Sequence, residues 1–267
     1  MSSLGLIAGN GVFPLEVAIA ARRRGIKLIA LAHQGETQPE LEAQVDHLTW
    51  IKVGELQKII DVLKNAGVEQ AAMAGGISRA RLATSFAPDA RAMKMLASIT
   101  RWSDDAVLRA IAREIESEGI PVIDPVPLMD DAIAKPGPMA GPEPDPNKLR
   151  DLDLAFEVAR SLGAFDIGQS VAVRGGVVYS VEAVEGTDAA LRRAASISGK
   201  GLVIAKVAKP GQDLRFDRPA IGPATIELLV EIGAAMIGIE AGKCLLLERA
   251  RTLAMAQSSH VTVYGHG

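Results

Sequence analysis

Short aliphatic runs alternate along the chain with stretches of helical periodicity, and glycine marks most of the changeovers. Leu4 to Ala8 reads as a strand and Gly9-Asn10-Gly11 as a tight turn. Phe13 to Arg24 then has helical spacing, with apolar positions at Phe13, Val17, Ala20 and Ala21. Arg22, Arg23 and Arg24 crowd the end of that helix, where cations oppose the negative pole of the aligned peptide dipoles, and Gly25 stops it. Ile26 to Ala32 predicts the next strand. The pattern returns with a helix at Glu55 to Asn65, a strand at Gln70 to Ala74, a helix at Asp104 to Glu118 with Ser103 as N-cap, and a strand at Ile120 to Ile123. Alternation of this kind predicts an α/β fold: an open, Rossmann-like parallel sheet covered on both faces.

Pro125 to Pro146 changes character, with seven prolines and with Gly137 and Gly141 among them. Two helices cannot share a segment so dense in proline, which predicts an inter-domain connection able to pack over a site. The expected organisation is a nucleotide-binding domain over 1–134, a Pro/Gly-rich linker over 135–147 and a second domain over 148–267. That second part opens with a helix at Leu149 to Leu162. Strands at Ser170 to Arg174 and Val177 to Val181 flank a Gly175-Gly176 hairpin turn. A helix at Thr187 to Ala195, a strand at Leu202 to Val207, a helix at Thr225 to Ile232 and strands at Met236 to Ile239 and Cys244 to Leu247 follow. A hairpin combined with βα units predicts a second α/β domain with a mixed sheet.

Composition narrows the function. With 48% hydrophobic but 3% aromatic residues, the 267-residue chain builds an aliphatic core and lacks the stacking platforms of single-strand nucleic-acid binders. A net charge of −3 gives no general attraction to DNA, so no nucleic-acid partner is expected. Cys244, the one cysteine, lies in the apolar run GKCLLLE and reads as a buried structural thiol. Without disulfides or a secretory-type leader, the default compartment is the cytoplasm. His33, His47, His260 and His266 show no ligand spacing, and the last two fall in a terminus expected to fray. Neither a Gly-x-Ser-x-Gly elbow nor a Walker loop is present.

The candidate chemistry concentrates between Glu182 and Thr225. There Glu182, Glu185, Asp188, Asp213 and Asp217 alternate with Arg192, Arg193, Lys206, Lys209 and Arg215, among glycines and prolines. Interleaved carboxylates and cations on such a backbone suit a hydrated Mg²⁺ held beside a phosphate, although a salt-bridged surface loop has the same composition. Asp217, ahead of Arg218-Pro219, is the first choice as metal ligand or water-positioning base, and spacing does not separate it from Asp213. Gly9, Asn10 and Gly11 form a dinucleotide-type turn that lacks its third glycine, because Pro14 stands there. Ala74-Gly75-Gly76-Ile77-Ser78-Arg79 closes another strand, and two glycine turns on one sheet edge make a nucleotide-sized groove. No acidic residue clearly ends the second strand near His33. Glu36, the nearest, falls in a loop, which counts against a nicotinamide cofactor. Asp166 to Ser170 would put Gln169 at a site mouth. Helix capping accounts for Thr187 and Asp188 but leaves Arg192 and Arg193 unexplained.

Five segments carry a resemblance to a known family: LGLIAGNGVFPLEVA, AGGISR, SDDAVLRAIAREIESEG, AFDIGQSVAVRGGVVYSVEAVEGTDAALRR and KPGQDLRFDRPAIGPATI. Through them the chain resembles the LpxI family of UDP-2,3-diacylglucosamine pyrophosphatases over nearly its whole length. The resemblance implies two domains joined by a linker, with the site between them. It also implies Mg²⁺-dependent hydrolysis of UDP-2,3-diacylglucosamine to UMP and 2,3-diacylglucosamine 1-phosphate (lipid X) in lipid A biosynthesis. It places the family's key aspartate on Asp217, with Asp188 or Glu185 as a further metal ligand. By motif match it adds Thr187, Lys206, Lys209 and Gln212, with Lys206, Lys209 or Arg192 offsetting phosphoryl charge. A homodimer and a peripheral contact with the inner membrane belong to the same expectation. The alternative is a non-catalytic nucleotide or nucleotide-sugar binding protein, which would leave the charges around Asp217 without a task.

Overall fold

The computed structural model describes residues 2–78, 86–100 and 103–267. The chain forms two compact units, one from Met1–Asp130 with Asp213–Asp217, the other from Asp131–Gln212 with Arg218–Gly267.

In the first unit, β1 (Ser3–Ala8), β2 (Lys27–His33), β3 (His47–Ile51), β4 (Gln70–Ala74) and β5 (Val122–Ile123) form a parallel sheet in the order β3-β2-β1-β4-β5. Side chains on a strand alternate between faces. Leu4, Leu6 and Ala8 therefore pack with Val17, Ala18 and Ala21 of α1 (Phe13–Arg23). Ile7, Ile29, Leu31 and Met73 share the opposite cluster with α2 (Leu56–Asn65), α3 (Ala90–Ala97) and α4 (Asp104–Glu116). Ser103 caps α4, its hydroxyl accepting the Ala106 N–H at 3.2 Å. Strand order reverses between β1 and β4, the place where a doubly wound sheet opens a crevice at its carboxyl edge. β3 and α3 are additions to the sequence reading; β3 is an edge strand with only Ile51 buried, so it shows no clean alternation.

The second unit is the α/β unit with a mixed sheet. Its strands are β6 (Gly137–Ala140), β7 (Ser170–Arg174), β8 (Val177–Val181), β9 (Val203–Lys206), β11 (Met236–Glu240) and β13 (Thr262–His266), in the order β6-β13-β11-β9-β7-β8. β13, β11 and β9 run parallel, whereas β6, β7 and β8 are antiparallel to their neighbours. β10 (Ala220–Ile221) and β12 (Leu245–Leu246) pair as a small separate ladder. One face is covered by α5 (Pro146–Gly163) through Leu152, Ala155, Phe156 and Ala159. The other face packs against α6 (Thr187–Ser198), α7 (Pro223–Glu231) and α8 (Arg249–Ser258). Asp151, on α5, is buried and accepts the Gly175 and Gly176 N–H groups, each at 2.7 Å, which clasps the β7–β8 turn.

Three parts of the chain differ from the sequence reading. Within the proline-rich segment over 135–147, Gly137–Ala140 forms β6, an unforeseen edge strand paired with β13, a position that tolerates Pro138. Asp213–Asp217 groups with the first unit rather than with the rest of 148–267. The terminus expected to fray forms β13: His266 stacks on Phe156 with ring centroids 4.0 Å apart, and its Nε2–H donates to Asp153 at 3.0 Å. Among the described residues no helix is long and apolar enough to cross a membrane.

Two consequences can be measured. Burial pushes the Cys244 thiol up to about 12, so a neutral-pH thiol reagent should leave it unmodified until denaturant exposes it. Labelling of the folded protein would contradict that placement. A Cβ on Gly238 of β11 would overlap Leu152 and meet Phe156 at 3.0 Å, so α5 depends on that glycine for its close approach. Gly238→Val should cost about 1–3 kcal/mol, seen as a lower denaturation midpoint.

Candidate active site

At the carboxyl ends of β1 and β4 the two glycine turns interlock. The Gly9 N–H donates to the Ala74 carbonyl at 2.8 Å, and the Asn10 N–H to the Gly76 carbonyl at 2.8 Å. A Cβ on Gly9 would fall on the Gly76 carbonyl, and one on Gly75, whose φ is +80°, would fall on the Asn10 carbonyl. Both positions therefore require glycine. The Asn10 side chain completes the join: its Oδ1 accepts the Gly76 N–H at 3.3 Å, and its Nδ2 donates to Glu36 at 2.8 Å. Glu36 also accepts the Ser78 hydroxyl at 2.6 Å and the Ser78 N–H at 3.1 Å.

These bonds engage the amides of Gly9, Asn10 and Gly76 within the turns. Gly11, where a Cβ would meet nothing within 4 Å, borders open space instead, at the start of a helix without a side-chain cap. Such an end can face an anion. Below the turn, the Ala8 carbonyl accepts from Thr37 Oγ1 at 2.6 Å and from His33 Nδ1–H at 2.9 Å. Burial pushes the His33 pKa down, against the upward pull of this bond, so the ring is neutral and acts as a fixed donor. Arg79, the other polar residue of the second turn, lies outside the described residues.

The same unit holds Asp213–Asp217. Arg215 donates to Asp213 through Nε (3.1 and 3.3 Å) and Nη2 (2.9 Å), and through Nη1 to Glu116 (3.0 Å) and the Val122 carbonyl (2.9 Å). The Asp213 N–H in turn donates to Asp105 on α4 at 2.9 Å. Phe216 is buried in the cluster that contains Val122 and Ala112. The Arg215 guanidinium holds the Asp213 carboxyl below its ordinary value, so this attachment is at full strength at neutral pH and weakens on acidification through that lowered value. Asp213 is thus engaged structurally. Asp217 follows the buried Phe216 and is partly buried itself.

In the second unit, Gln169, Thr187, Lys206, Lys209 and Gln212 come together around the carboxyl end of β9. Ser170 stands opposite Lys206, and the Val207 N–H donates to the Gln169 carbonyl at 2.9 Å. Lys206 Nζ donates to the Ala220 carbonyl at 3.0 Å, and Lys209 Nζ pairs with Asp166 at 2.7 Å. The Lys209 N–H donates to Gln212 Oε1 at 2.9 Å. Gln169 Oε1 is buried and has no hydrogen-bond partner among the described residues. Thr187 is not the N-cap of α6, a role that falls to Gly186; its hydroxyl lies 3.4 Å from that of Ser170.

Glu185 and Arg192 stand apart from this cluster in surface ion pairs, Glu185 with Arg193 at 2.8 Å and Arg192 with Glu231 at 2.9 and 3.0 Å. These pairs supply the reason for Arg192 and Arg193 that capping did not. Sequence reasoning missed Glu240, buried at the end of β11. Burial raises its pKa, but Lys243, the Ala208 N–H and Arg160 together outweigh that and hold it below the ordinary value.

Among the described residues no three His, Cys, Asp or Glu side chains are grouped to hold a metal. Mg²⁺ does not need such a group, since it binds through one or two carboxylates and takes its other ligands from phosphate and water. Asp188 stands exposed in the first turn of α6, carried by the other unit.

Comparison with known proteins divides the chain at nearly the same point but keeps Asp213–Asp217 within the C-terminal match. Residues 3–132 match the family model of the LpxI N-terminal domain, and residues 135–264 that of the LpxI C-terminal domain. The UDP-2,3-diacylglucosamine pyrophosphatase LpxI of Caulobacter vibrioides is 36% identical over 276 residues, covering 99% of this chain and 98% of that protein. Solved structures give weaker likenesses. The biotin carboxylase domain of the Hydrogenobacter thermophilus 2-oxoglutarate carboxylase is 18% identical over 65% of this chain and 35% of that one, with a TM-score of 0.30. N5-carboxyaminoimidazole ribonucleotide synthetase from Thermotoga maritima is 13% identical over 67% and 41%, with a TM-score of 0.29. Scores so low carry nothing about arrangement or ligands. With both of its halves matched, in order and almost end to end, the chain belongs to the LpxI family.

Proposed function

We propose that this protein is a hydrolase of lipid A biosynthesis that cleaves the pyrophosphate of UDP-2,3-diacylglucosamine, with Mg²⁺, into UMP and 2,3-diacylglucosamine 1-phosphate. The observation that carries the reading is the clamped Asp213–Asp217 segment, which commits a partly buried aspartate to the unit that holds the glycine turns. Family membership supplies the substrate class, through the name of the Caulobacter relative.

Hydrolysis of a phosphoric anhydride demands positioning and charge neutralisation more than covalent help. Gly11 and the uncapped start of α1 offer N–H groups to a nucleotide phosphate. Asp217 would hold the metal or orient the attacking water. Mg²⁺, when bound, supplies charge neutralisation at the phosphoryl oxygens. Lys206, tethered to the Ala220 carbonyl, adds positive charge for the phosphate groups, and Lys209 would do so on exchanging Asp166 for a phosphate. Gln169 and Thr187 serve the sugar, with Gln212 holding the Lys209 backbone in place. Phe165, Ile167 and Val184 are exposed apolar residues in the loops flanking β7 and β8, 70%, 41% and 81% exposed respectively, and suit the acyl chains. Cytoplasmic action on an inner-membrane lipid, by a homodimer, completes the reading.

The test is UMP release from UDP-2,3-diacylglucosamine by folded protein. Release should require Mg²⁺ and stop with EDTA. Asp217→Asn should lower turnover by about 10²–10⁴-fold while UMP binding persists. Wild-type protein that binds UMP with Mg²⁺ present yet releases none would move the reading to a nucleotide-sugar binder.

A further inference from the structure

Glu36 is unusual for a site that receives phosphate. Its carboxylate stands beside the two glycine turns, where a negative charge repels the anion those turns would hold. In dinucleotide-binding folds an acidic residue near the end of the second strand contacts the ribose. Here Glu36 lies three residues beyond β2 and faces the turns instead: Asn10 Nδ2 donates to it from the first turn, and the Ser78 N–H and hydroxyl donate to it from the second.

The loop that carries Glu36 is itself anchored. Thr37 Oγ1 donates to the Ala8 carbonyl and accepts the His33 N–H at 2.9 Å, and the Glu36 and Thr37 N–H groups close a turn on the His33 carbonyl at 3.1 and 3.0 Å. A third loop, pinned at the end of β1, thus reaches across the point where strand order reverses and ties β1's turn to β4's turn. Hydrogen bonds to an ionised acceptor are about twice as strong as neutral ones, so a carboxylate suits such a tie despite its charge. Without it, the Asn10 amide would lose the acceptor that fixes its rotation, and with that its hold on the Gly76 N–H.

We propose that Glu36 is a positioning residue for the nucleotide half of the substrate, holding the two glycine turns as one preformed cradle; this rests on the hydrolase reading. It acts through Asn10 and Ser78 rather than by touching the reacting phosphate, so its loss weakens binding and leaves the chemical step to Asp217.

The experiment compares Glu36→Ala with Glu36→Gln. Glutamine keeps every one of these bonds: its amide oxygen accepts from Asn10 and from the Ser78 N–H, and its NH₂ donates to the Ser78 hydroxyl. UMP affinity by titration and the steady-state constants for UMP release are measured on folded protein, with thermal melts as the control. Glu36→Ala should raise KM and the Kd for UMP about tenfold, with kcat within about threefold. Glu36→Gln should restore both constants. Wild-type KM and Kd in Glu36→Ala would overturn the inference, as would a Glu36→Gln variant as impaired as the alanine, since the charge itself would then be doing the binding. Should Glu36→Ala not fold, Ser78→Ala and Asn10→Ala each remove part of the tie, and unchanged UMP affinity in both would be equally contrary. Failure of the hydrolase reading looks different: wild-type protein releases no UMP, while the titration still reads Glu36 through UMP affinity. Absence of UMP binding by the wild type overturns both.

Discussion

Arg215 presents five N–H donors in a rigid fork, and a partly buried guanidinium must find acceptors for them or lose more than the bonds are worth. It finds them on Asp213, on Glu116 of α4 and on the Val122 carbonyl of β5, while its central carbon lies 4.6 Å from the centre of the Phe216 ring. Phe216 in turn is buried among the aliphatic residues under the first sheet. A five-residue segment is thereby taken from the second half of the chain and built into the first unit. Asp217 inherits its position from that packing: the aliphatic core holds Phe216, and Phe216 holds the residue beside it.

This constraint also sorts the charges that alternate from Glu182 to Asp217. Asp213 with Arg215, Glu185 with Arg193, Arg192 with Glu231 and Lys209 with Asp166 are paired. Exposed pairs such as Arg192–Glu231 contribute little to stability, and their significance is that they remove those charges from consideration as phosphate ligands in this state. Lys206 differs, because its ammonium is tethered to a backbone carbonyl and keeps its charge uncompensated by that bond. Gln169 differs too, because a buried amide oxygen without a partner among the described residues is costly unless a ligand or water completes it.

The parts of the fold legible in the sequence are those where a single local rule decides. Gly175-Gly176 ends one short apolar run and opens the next, so β7 and β8 are readable to the residue; β4 lies between Gly67 and Gly75 and is equally plain. What escaped depends on long-range partners. α8 has little apolar stripe, with only Thr252 and Ala256 buried, and β13 is a strand because β11 and β6 lie on either side of it. β6 escaped because seven prolines outvoted four residues that an edge position tolerates. At the site, the glycine turns were legible because close backbone approach admits few other residues. Glu36 was visible only as an acid in a loop, and its role rests on Asn10 and Ser78, 26 and 42 residues away. Asp213 and Asp217 were inseparable by spacing; Arg215 separates them, and nothing local announces that Arg215 reaches Glu116 and Val122.

The measurement that bears most directly on this account is hydrogen exchange at residues 213–217 together with single-turnover UMP release, in wild type and in Arg215→Met. Methionine keeps the aliphatic stem against Phe216 and removes the donors. The account predicts faster exchange across the segment and slower single-turnover release, with UMP affinity largely kept because the glycine turns are untouched. Release at the wild-type rate from a segment that exchanges freely would contradict it, since Asp217 would then act without the clamp that is held to place it.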